Sequence, residues 1–68
     1  MRLEAGEIAV FCLDADGMEI SPPTVAENMK DAKRRAKLWL TSEELRSAGL
    51  HKTEIRNSKG ECLVDYFA

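Results

Sequence analysis

Long apolar runs are missing from this chain of 68 residues. No stretch approaches the roughly 20 residues that a membrane-crossing helix requires. The N-terminus also lacks the basic segment followed by an apolar one that marks a secretory signal. Cysteine is scarce. Two cysteines and one histidine are too few for a tetrahedral structural zinc site without carboxylate help. There is no glycine-rich phosphate loop, no nucleophile elbow, no internal repeat and no low-complexity tract. These absences predict a soluble, cytoplasmic protein with reduced thiols, no metal and no cofactor.

What is present is ordinary globular composition, with 44% hydrophobic and 32% charged residues. One small domain is expected over 1–68. A chain this short buries only about 60% of the surface it exposes when unfolded, so a partner chain is one way to supplement its core. "EIAVFCL" at 7–13 is rich in β-branched and aromatic residues and reads as a strand. "DADG" at 14–17 follows as a turn, and "MEISPPTV" at 18–25 returns as a second strand of similar length. Pro22 and Pro23 donate no ladder hydrogen bond, which confines that strand to an edge or a bulge.

A helix over about 29–40 follows, with Asn28 and Asp31 as its cap; Thr24 with Glu27 is a competing start one turn earlier. Met29, Ala32, Ala36, Trp39 and Leu40 share its apolar face. "TSEE" at 41–44 signals a short second helix over about 42–48, ended by Gly49. "HKTEIRN" at 51–57 suits an edge strand, "SKG" a turn, and "ECLVDYF" at 61–67 a fourth strand. The expectation is an α+β, ββαββ two-layer domain, with a four-stranded, mainly antiparallel sheet and both helices on one face. The two most apolar strands, first and last, are expected to form its central pair.

Candidate chemistry is thin. "DADG" opens like a calcium loop, but the twelfth position of such a loop falls on Val25, so a hairpin turn is the better reading. Cys12 lies in phase with Ile8 and Val10, and Cys62 with Val64 and Tyr66, which predicts that both face the helix as small hydrophobes. His51 has no acid or nucleophile close in sequence. An enzyme is therefore the least supported class.

Two surfaces stand out. Lys30, Lys33, Arg34 and Lys37 fall at i, i+3, i+4 and i+7, one stripe on the wet side of the main helix. Residues 28–37 carry net charge +4, whereas 1–27 carry −5 and 38–68 carry −1, which together give the net −2 of the chain. Nucleic-acid binders usually present a broader basic patch, so a solvated helix face outweighs a phosphate site here. The second surface is the sheet face away from the helix. With Val10 and Val64 turned to the helix, Phe11, Leu13, Leu63 and Phe67 turn away, and a continuous apolar patch is expected there. Such a patch predicts a protein partner or a homodimer.

In element order, with "AENMKDAKRRAKLWL" leading to "KTEIRNSKGECLVDYF", the chain resembles small bacterial and phage ββαββ proteins, among them phage-encoded anti-CRISPR inhibitors. The resemblance covers most of the chain as architecture and carries over no functional residue. It implies a non-enzymatic protein that occludes a host nucleic-acid-targeting complex in the cytoplasm of a bacterium. The basic helix departs from the acidic, DNA-mimicking variety of such inhibitors. Two rival readings stand beside it: a small nucleic-acid-binding module using the basic stripe, and a homo-oligomeric structural protein.

Overall fold

The computed structural model describes residues 3–68. Six elements appear in the order β1 (Ile8–Leu13), β2 (Thr24–Ala26), α1 (Met29–Trp39), α2 (Glu43–Ser47), β3 (Lys52–Asn57) and β4 (Cys62–Phe67). They make a small α+β domain with a four-stranded antiparallel sheet, as the sequence predicts. Among the described residues, no helix is long and apolar enough to cross a membrane.

Local chemistry explains the boundaries. The Asp14 carboxylate accepts from the N–H groups of Asp16 and Met18, both at 2.9 Å, and Gly17 takes a φ of +81°. The DADG segment is therefore a turn whose first acid serves its own backbone. The second strand is shorter than expected. Met18–Ile20 contributes a single bridge, Leu13 to Glu19, and regular pairing resumes only after Pro22 and Pro23. Asn28 caps α1, its Oδ1 accepting from the Asp31 N–H at 2.8 Å, so the later of the two candidate starts is the one adopted. Ser42 caps α2 in the same way at 3.3 Å, and Gly49 at φ +102° lets the chain leave it.

The strand order is β2-β1-β3-β4, which corrects the expected pairing of the first and last strands. β3 lies in the middle and β4 at an edge. Chain direction supplies the reason. β2 and β3 are each antiparallel to β1, so α1 is a crossover between two strands that run the same way, with β1 inserted between them. β4, antiparallel to β3, runs parallel to β1. Placing β4 beside β1 would have made the less favoured parallel pair.

Ala32 and Ala36 bring α1 close to the sheet, where they meet Val10, Ala26 and Ile55. Ile8, Met29, Trp39, Val64 and Tyr66 pack around that centre. Thr53, fully buried on the same face, donates its hydroxyl proton to the Ala36 carbonyl at 3.1 Å and ties β3 to the helix. α2 buries no residue.

Candidate binding surfaces

The sheet face away from α1 is not the continuous apolar patch that the sequence suggests. Because β3 separates β1 from β4, the cross-strand rows read Leu13–Lys52–Phe67, Phe11–Glu54–Asp65 and Ala9–Arg56–Cys62. A charged residue of β3 stands in the middle of each. Glu54 is the hub: Lys52 Nζ reaches its Oε2 at 2.6 Å and Arg56 Nε donates to its Oε1 at 2.8 Å. The same cations cover the aromatics, with Arg56 4.5 Å from the Phe11 ring centroid and Lys52 5.6 Å from that of Phe67. His51 meets Phe67 edge-on at 5.6 Å.

The four residues expected to form the interface therefore fare differently. Leu13 is 1% exposed and is a core residue, which removes it from any open surface. Phe11 is half-buried beneath Arg56, beside a depression that Leu3 also lines. Leu63 and Phe67, at 45% and 60% exposure, remain open on β4. Sequence reading missed Lys52, Glu54 and Arg56. Their signal was present in "KTEIRN", where positive, negative and positive residues recur at period two.

Cys62 is exposed and lies opposite Arg56, not on the helix side. A register shift between Ile55 and Arg56 inserts an extra β4 residue there and breaks the phase with Val64. Its sulfur lies within 4.8 Å of ligand atoms of Glu54 and Asp65. Both Glu54 oxygens already hold cations, so the trio reads as part of a salt network. Burial, then the Glu54 and Asp65 charges, push the Cys62 thiol up, and burial does the same to Cys12. Burial resists ionisation of Glu54, but Lys52 and Arg56 outweigh it and hold the carboxyl below the ordinary glutamate range. Lys52 is raised in turn, chiefly by its bond to Glu54.

On α1, Lys30, Lys33, Arg34 and Lys37 are all exposed, as their spacing requires. They are not equally free. Arg34 Nη2 donates to Asp31 at 2.8 Å and Arg35 Nε does so at 3.0 Å. Arg34, the Glu27 N–H and Arg35 together lower the Asp31 carboxyl. Lys37 lies 5.5 Å from the Tyr66 ring centroid. Lys30 and Lys33 form no ion pair among the described residues. No protein-family model, curated protein or solved structure matches the chain.

Proposed function

We propose that this chain is a non-enzymatic protein-binding module that uses the β4 side of the sheet as its contact surface. The observation that carries this reading is the exposure of Leu63 and Phe67 on an edge strand of so small a domain. Leaving them wet forgoes roughly 25 cal/mol for each Å² of apolar surface that a partner would cover. The surrounding Lys52, Glu54, Arg56 and Asp65 give that surface a polar, charge-balanced rim, the composition of a protein interface. A phage-encoded inhibitor of a host nucleic-acid-targeting complex, acting in the bacterial cytoplasm, is the role that the architectural resemblance suggests.

Quantitative affinity capture from the native host tests the reading. A host protein should be enriched by the wild-type chain and lost with Leu63→Glu combined with Phe67→Glu, while circular dichroism shows an unchanged fold. Identical capture by the two forms would retire β4 as the contact surface. A second reading rests on Lys30 and Lys33, whose charges are uncompensated beside Arg34 and Lys37. It makes α1 a modest phosphate-binding face for nucleic acid.

A further inference from the structure

The two edges of the sheet are built differently. β2 has three residues, with Pro22 and Pro23 directly before it, and such edges resist the addition of a strand. β4 has six residues, no proline and no lysine, and its one charge is Asp65. A hydrogen bond at the C-terminal end of the β3–β4 ladder, from the Ala68 N–H to the His51 carbonyl at 2.9 Å, fixes the direction of the β4 backbone from Ala68 back to Val64, on the near side of the register shift. Direction alternates residue by residue in an antiparallel pair. Val64 and Tyr66 therefore aim their N–H and C=O groups at β3, and Asp65 and Phe67 aim theirs outward. β4 ends the strand order, so those outward groups have no strand beside them among the described residues.

The geometry points to a second copy of this chain as the occupant of that edge, its β4 adding antiparallel to β4 with Asp65 opposite Asp65. Two constraints limit the register to one centred on a residue, and of the two mid-strand centres, Val64 and Asp65, the second keeps the pairing clear of Cys62 at the register shift. A two-fold axis perpendicular to the sheet keeps both α1 helices on one side, and residues that pair directly must then share a face. Outward-pointing residues must also meet outward-pointing residues. Centring on Asp65 meets both conditions and sets Leu63 opposite the partner's Phe67 twice, and Val64 opposite the partner's Tyr66 twice. The strand is thus complementary to itself. The two Asp65 carboxylates oppose one another with a Glu54 beside each, and the two Lys52 and two Arg56 cations of the same face balance those four charges. α1 packs over β1, β2 and β3, and the approach is to the far flank of β4.

The inference rests on β4 being a binding surface, yet it fails separately from that reading. Sedimentation velocity of the full chain from micromolar to millimolar concentration should show a monomer–dimer equilibrium. Amide hydrogen exchange should show Asp65 and Phe67 gaining protection in step with the dimer fraction, while Val64 and Tyr66 are protected throughout. Asp65→Pro removes an N–H that the monomer's ladder does not use, and should weaken dimerisation by at least about tenfold. If that variant does not fold, the wild-type exchange pattern decides alone. A chain that stays monomeric at millimolar concentration overturns the inference, as does a dimer whose Asp65 and Phe67 amides stay unprotected. A monomer that still captures a host protein through Leu63 and Phe67 keeps the protein-binding reading and loses this one.

Discussion

Glu54 sits 7% exposed on the strand face turned away from α1, held by Lys52 on one oxygen and Arg56 on the other. A buried carboxylate is tolerated only when its charge is answered, and here both answers come from its own strand two residues away. Its folded-state pKa lies below the ordinary value. Its contribution to stability is therefore complete above the ordinary glutamate pKa and is lost as pH falls through the lower folded value. Lys52, raised, behaves oppositely: its contribution holds below the ordinary lysine pKa and is lost as pH rises through the folded value. Glu54→Gln should accordingly lower stability at neutral pH and flatten the acid limb of a urea-stability profile. Asp31, also lowered, keeps part of that limb. An unchanged acid limb would mean that the cluster is solvated. The alternation that makes this cluster was readable in "KTEIRN"; what lay on either side of it was not, because neighbours depend on strand order.

At the scale of elements, the helices were the legible part. A cap is chemistry between residues three apart, so Asn28 with Asp31 and Ser42 with Leu45 can be found without knowing the rest of the fold. Asn28→Ala should cost about 1 kcal/mol. In a domain of this size that is a fall of roughly 4–8 °C in Tm, measurable by circular dichroism. A smaller loss would show that the Asp31 carboxylate, which also accepts from the Glu27 N–H at 3.2 Å, holds the helix start by itself. Strands were harder because their partners are distant. Apolar content placed β1 beside β4, whereas the direction in which α1 delivers the chain places β3 there. The register shift near Arg56 leaves no mark in the composition of "ECLVDYF", and so Cys62 was assigned to the wrong face.

Over the whole molecule, charge is segregated along the chain and then redistributed by the fold. The +4 segment at 28–37 becomes the outer face of α1, while on the opposite side of the sheet Lys52, Glu54 and Arg56 of β3 are balanced by Asp65 of β4. These two faces invite different partners, and salt separates them. Each phosphate contact to duplex DNA contributes about −0.9 to the slope of log K against log salt, so four cations bound together would give a slope near −3.6. Lys30→Glu with Lys33→Glu is the cleaner variant, since neither side chain has an ion pair to lose among the described residues and Lys30 lies in the first turn of α1. An acid there favours the positive end of the helix dipole, so the fold should hold within about 0.5 kcal/mol. If α1 grips phosphates, this variant should weaken DNA retention at low salt, and the magnitude of the slope should fall by about 0.9 for each lysine contact removed, about 1.8 for the pair. A wild-type chain whose retention does not respond to salt would make the stripe a solvated face, and recognition would then fall to the sheet edge alone.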